Sequence, residues 1–202
     1  SDICSYLKGN TGYGDILSEF GEKDAHRGRV EEVLENNLYE QYIRLYSFMS
    51  RSGRSVLKTW LMHREIDYIK SRARGFFNGE VREDSITSVK NEFFLQHTRI
   101  DCEKAEAATS LSEFIEACRG SVFYDILKTA ESIEADHFSI GMMLDSLYYT
   151  QLWKSREKLP EAERPCFEKL VGSIADMLNI SWIYRGKKYF DFPSEIIYTY
   201  LI

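Results

Sequence analysis

The chain repeats itself at a spacing of about 110 residues, and this constrains its fold more than any other feature. Tyr13-Gly14-Asp15-Ile16-Leu17 returns as Phe123-Tyr124-Asp125-Ile126-Leu127, 110 positions on. Leu34-Glu35, Tyr39 and Gln41 return as Leu144-Asp145, Tyr149 and Gln151 at the same shift. Ile69 and Arg74-Gly75 return as Ile180 and Arg185-Gly186, 111 positions on. Matches at one shift and in one order point to two stacked copies of one structural unit, and stacked units build surfaces for partners. The expectation is a binding and structural protein with no active site.

The period inside each copy is helical. Val30, Val33, Leu34, Leu38, Tyr42 and Leu45 keep the spacing of one helix face, with acids between them. Val56, Leu57, Trp60, Leu61, Ile66 and Ile69 predict a second long helix ending near Arg74, with Gly75 closing it in a left-handed conformation. In the second copy, short helices are expected from Ser112 and from Ser121, and a strongly apolar one over 139–153. Pro160 then marks the start of a helix that runs to Arg185-Gly186, and Pro193-Ser194-Glu195 opens another. Only 85–88 and 188–192 read as short and extended, and Gly21–Gly28 reads as disordered. The fold class is therefore all-α, a tandem repeat of two related helical-bundle domains truncated before a third. Its divisions are residues 1–85, 86–190 and 191–202. Ser1 in place of Met, and the apolar run from Ile196 to the final Ile202, read as the ends of a piece cut from a longer protein.

With 202 residues, 44% of them hydrophobic, the chain can bury roughly 70% of its unfolded surface without a metal or disulfide staple. Cys4, Cys102, Cys118 and Cys166 lie too far apart for the common zinc motifs and read as reduced thiols. A net charge of −6 disfavours phosphate-driven nucleic-acid binding. No apolar run is long enough to span a membrane.

Five features are candidates for chemistry. Gly9-Asn10-Thr11-Gly12-Tyr13-Gly14 superficially resembles a phosphate-cradling loop, but no strand precedes it and no Gly-Lys-Ser/Thr ends it, so a turn between helices is expected. His63 and Asp67 stand four apart on one helix, half of a metal or acid–base site; their counterparts are Ile174 and Leu178, and a solvated helix face is the expected reading. Asp136-His137 reads as a helix cap. Residues 51–74 hold seven bases (Arg51, Arg54, Lys58, Arg64, Lys70, Arg72, Arg74) against Glu65 and Asp67, which would suit docking of an acidic helical partner. Asp176 and Asn179, three apart on an otherwise apolar helix, must find hydrogen-bond partners and are expected to hold neighbouring backbone. No catalytic, cofactor or metal residues are assigned.

The stretch Asp176-Met177-Leu178-Asn179-Ile180-Ser181-Trp182-Ile183-Tyr184-Arg185 resembles a repeated D-x-x-N-I/L-x-x-I-x-R signature. That signature belongs to the C subunit of V/A-type rotary ATPases, the equivalent of the d subunit of the eukaryotic vacuolar enzyme. Ile66-Asp67-Tyr68-Ile69-Lys70 with Arg74 resembles a degenerate earlier copy, with Glu65 and Tyr68 in place of the Asp/Asn pair. Leu34-Glu35-Asn36-Asn37-Leu38-Tyr39 and Leu144-Asp145-Ser146-Leu147-Tyr148-Tyr149 resemble the family's helix starts, and Gly12-Tyr13-Gly14 the ends of its short helices. The resemblance implies three helical domains in a funnel-like ring, of which this chain would be about two. It also implies a non-catalytic adaptor on the cytoplasmic face of a membrane. Its partners would be the central-shaft subunits of D and F type and the membrane proteolipid ring, with torque passing between them and no cofactor or small-molecule substrate. The other reading of the residues is a helical-repeat interaction module unrelated to ATPases, docking through the basic face at 51–74.

Overall fold

A computed structural model describes residues 2–18, 27–79 and 92–202, and among these every regular element is helical. The expected extended segment at 85–88, the boundary between 85 and 86, and residues 21–26 lie outside the described residues, while Arg27 and Gly28, also read as disordered, are helical.

The elements of the first half are α1 (Asp2–Asn10), α2 (Gly14–Leu17), α3 (Arg27–Phe48), α4 (Arg51–Leu61) and α5 (His63–Asn78). Those that follow are α6 (Glu92–His97), α7 (Cys102–Ala107), α8 (Leu111–Ala117), α9 (Tyr124–Ser132) and α10 (His137–Ser155). A 3-10 turn (Arg156–Lys158), α11 (Arg164–Tyr189) and α12 (Ser194–Tyr200) complete the order. The glycine-rich opening is the turn between α1 and α2, as its sequence suggests.

Polar residues set several helix starts. Ser50, Asp101, Ser110 and Asp136 each accept a hydrogen bond from a backbone N–H of the first turn that follows. These side chains supply an acceptor for donors the helix leaves free. Asp136 thus caps α10, and His137 is simply its first residue.

Three expected ends are corrected. The helix through Ile69 does not stop at Gly75; it runs to Asn78 and closes at Gly79, whose φ of 68° is the left-handed value glycine tolerates. Nor does α11 begin at Pro160. It begins at Arg164 with Pro165 in its first turn, where a missing N–H costs nothing. It also runs through Gly186 to Tyr189, so the expected extended segment at 188–192 starts as helix. Gly186 stays inside because α12 crosses there: a Cβ at this position would sit 3.1 Å from Ile197 Cδ1.

The main core joins the two halves of the chain. Ile66, Tyr68 and Ile69 of α5 pack with Phe114 and Ile115 of α8, Phe123 before α9, Leu127 of α9, and Ile140, Leu144, Tyr148 and Leu152 of α10. Smaller clusters hold α1 to α3 through Cys4, Leu17 and Val30, and α3 to α4 through Tyr39, Leu57 and Leu61. All four cysteines are free thiols.

Candidate functional site

The seam where α10 lies against α4 and α5 holds His63, Asp67 and Lys70, three of the polar side chains the sequence singles out. It begins with the spacing of α5: His63, Asp67 and Lys70 fall on one face, turned toward Asp145 and Tyr148 of α10. Lys70 donates to Asp145 in a partly buried ion pair. Burial raises the Asp145 carboxyl above its ordinary range, and the Lys70 ammonium draws it part of the way back. The Tyr148 hydroxyl donates to the Trp60 carbonyl at 3.2 Å, and burial lifts its pKa as well.

His63 and Asp67 bond to each other, Nδ1 to Oδ2 at 3.0 Å, and both are close to half exposed. The His63 ring stands edge-on to Tyr148 with centroids 5.2 Å apart. No group of three or more side chains suited to a metal gathers among the described residues. The pair borders a cleft of about 350 Å³ walled by Leu38, Tyr42, Trp60, Tyr148 and Ile174. On the other side of α4 a second cleft, about 470 Å³, is bordered by Lys58, Arg99, Lys158 and Glu65. Glu65 accepts a 2.6 Å hydrogen bond from Thr98, and burial raises its carboxyl pKa. Lys70–Asp145 and Tyr148–Trp60 fasten α10 to α5 and α4, and Thr98–Glu65 ties the residues after α6 to α5, while His63–Asp67 lies within α5.

The seven bases of 51–74 do not form one face. Arg54 donates to the carbonyls of Tyr46 and Ser47 and so caps the C-terminal end of α3. Arg64 pairs with Glu35 and Asn36 and lies over the Tyr39 ring. Lys70 is held by Asp145, and Arg72 is buried. Arg51, Lys58 and Arg74 are left on the surface. Four of the seven bases are thus engaged within the fold, while Arg51, Arg54 and Lys58 are exposed along α4 and Arg74 on α5.

Arg72 has a role the sequence conceals. Its Nη2 donates to the Ala105 carbonyl at 2.8 Å and approaches that of Ala108 at 3.5 Å, where α7 ends. Its guanidinium lies between the rings of Phe76 and Phe114. The negative end of α7 and two aromatic faces thus stand in for a carboxylate partner. The sequence carries one signal of this: Arg72 continues the stripe of Ile69 toward Phe76.

Asn179 and Asp176 part company. The Asn179 amide donates to the Ile202 carbonyl at 3.0 Å and accepts from the Ile202 N–H at 2.9 Å, holding neighbouring backbone as its type suggests. Asp176 does not share that role; it lies on α11, which is covered on one side only, and Met177 and Ile180 beside it face solvent.

The sequence profile of the ATP synthase (C/AC39) subunit family matches residues 1–202. Three curated relatives are each named as the C subunit of an A-type ATP synthase. That of Methanosarcina barkeri is 26% identical over 178 residues, spanning 87% of this chain and 48% of the relative. Those of Methanosarcina mazei and Methanosarcina acetivorans are each 25% identical, again over 87% of this chain and 48% of the relative. The chain therefore spans about half the length of the curated relatives it matches. No solved structure matches it.

Proposed function

Because the chain belongs to the ATP synthase (C/AC39) subunit family over residues 1–202, we propose that it serves in the non-catalytic rotor adaptor of a V/A-type ATPase. The adaptor joins the central-shaft subunits to the membrane proteolipid ring on the cytoplasmic face and carries torque between ATP chemistry and ion movement. The family match is the observation that carries this reading, since the relatives bear the name of a rotary ATP synthase component. Three features of the chain support it. Large apolar contacts join α4, α5 and α10 into one stiff body. Lys70, Asp145 and Tyr148 of the seam hold α10 to α5 and α4. No described helix is long and apolar enough to cross a membrane, so any attachment of these helices to the ring runs through surface contacts.

We read the body as two copies of one helical unit. The first is built on α2, α3 and α5, the second on α9, α10 and α11, with division near residue 85 and a third unit opening at 191. Matched residues fall on elements in the same order: Tyr13 and Phe123 precede α2 and α9, Leu34 and Leu144 lie in α3 and α10, and Ile69 and Ile180 lie in α5 and α11.

The test is co-purification of the parent protein from gently solubilised native membranes, with partners identified by mass spectrometry. Recovery of the shaft and proteolipid subunits is expected. Deletion should leave ATP hydrolysis by the soluble sector intact while abolishing ion pumping. A preparation free of ATPase subunits would overturn the adaptor.

A further inference from the structure

The cleft of about 470 Å³ beside α4 is walled by residues from the middle of the chain, between Tyr39 and Lys158, where its two halves meet. Lys58 comes from α4, Arg99 from the link between α6 and α7, Ser121 from the residues ahead of α9, and Lys158 from the 3-10 turn. All three bases are exposed, and among the described residues none of them is in an ion pair. Glu65 is the one carboxylate of the lining among those residues, and it is turned to Thr98, which donates to it at 2.6 Å. Three positive charges therefore border one cleft against a single acid, in a chain whose net charge is −6.

The uncharged part of the lining is largely apolar and partly aromatic. Leu61, Phe94 and Phe123 are buried there. Ser121 Oγ accepts from the Phe123 N–H at 3.2 Å, which leaves its hydroxyl proton to donate. A cleft bordered by one sign of charge, with low-dielectric walls, focuses its field and concentrates ions of the opposite sign. The guanidinium fork of Arg99 matches a phosphate through two parallel hydrogen bonds, and the lysine ammonium groups meet it as point charges. Phenylalanine rings suit a flat apolar body, and the volume is that of a small-molecule site.

We propose that this cleft binds a small aromatic phosphate ester, its phosphate held by Lys58, Arg99 and Lys158 and its ring laid on Phe94 and Phe123. Lys58 belongs to the first half of the chain and Lys158 to the second, so one bound phosphate fastens both halves.

The test is calorimetric titration of naphthyl phosphate into the full-length parent protein, over about 10 μM to about 1 mM ligand, with inorganic phosphate and naphthol titrated in parallel. The ester should bind saturably and one-to-one, and phosphate or naphthol alone should each bind at least about tenfold more weakly. About 0.5 M salt should weaken the ester. Lys58→Gln with Lys158→Gln alters exposed side chains and should lower affinity at least about tenfold, as should Arg99→Gln alone. Unchanged melting temperatures of these variants separate lost binding from lost fold. No saturable binding by the parent protein would overturn the site. So would phosphate binding as tightly as the ester (an adventitious ion only), naphthol binding as tightly, or variants that keep full affinity. None of these results bears on the adaptor function, which co-purification with ATPase subunits reads separately.

Discussion

At the scale of single residues, the fold spends charge where a solvated surface would be expected, and Glu65 shows what that costs. Its carboxyl lies against Thr98 in the wall of the second cleft, and desolvation raises its pKa above 4.5 while the Thr98 hydrogen bond and Lys58 oppose the rise. The folded state then holds the proton more tightly than the unfolded chain does. Stability is full below the unfolded value and is lost as pH rises through the interval up to the raised folded value; it stays lost at neutral pH. Glu65→Gln keeps an oxygen for Thr98 and removes the charge. It should therefore stabilise the protein at pH 7, and by progressively less as the pH is lowered toward 4 and the native carboxyl takes up its proton. Urea midpoints at the two pH values read the difference. A glutamine variant no more stable than the native chain at pH 7 would mean that Thr98 and Lys58 fully offset the burial.

At the scale of elements, the helices are legible in the sequence but not all their ends, and the misses share a cause. The apolar spacing through Leu34, Leu38 and Tyr42, or through Ile66 and Ile69, is set within the helix itself, so it can be read locally. Where a glycine falls inside or closes a helix depends on what packs there. By residue type Gly75 is a stop, yet the chain carries on three residues to Asn78. Gly186 has the same look, yet it lies within α11 because Ile197 of α12 needs the space of a missing side chain. The polar contacts divide likewise. Asp136 as a cap and Asn179 as a backbone holder follow from residue type and spacing. Arg72 on the end of α7, and Lys70 with Asp145, join residues 33 and 75 positions apart, which no local pattern reports. The crossing at Gly186 gives a direct test. Gly186→Leu should push α12 off α11 and raise hydrogen exchange over 194–200 by at least about tenfold. The main core, which contains no residue of α12, should keep its melting temperature within a few degrees. Unchanged exchange would show that Ile197 is not what holds α12 in place.

At the scale of the whole molecule, the question is whether two similar helices with different surroundings behave as burial dictates or as their shared sequence pattern dictates. On α11 Trp182 is buried, while Met177 and Ile180, which carry the same spacing as Ile66 and Ile69, are exposed. Periodicity identifies a face that can be buried; the neighbour that buries it belongs to another part of the chain or to another molecule. A charge placed at each of two counterpart positions separates the effects. Ile66→Asp puts an unpaired carboxylate among Phe114, Leu127 and Leu144 and should cost more than about 4 kcal/mol, enough to unfold a domain of ordinary stability. Met177→Asp, one repeat later, should change stability by less than about 0.5 kcal/mol, because the carboxylate remains in water. Chemical denaturation in dilute solution, where contacts between molecules are absent, reads both. A large loss at Met177 would mean that α11 is covered within a single chain. A small loss at Ile66 would mean that α5 and α10 are not joined by the apolar core.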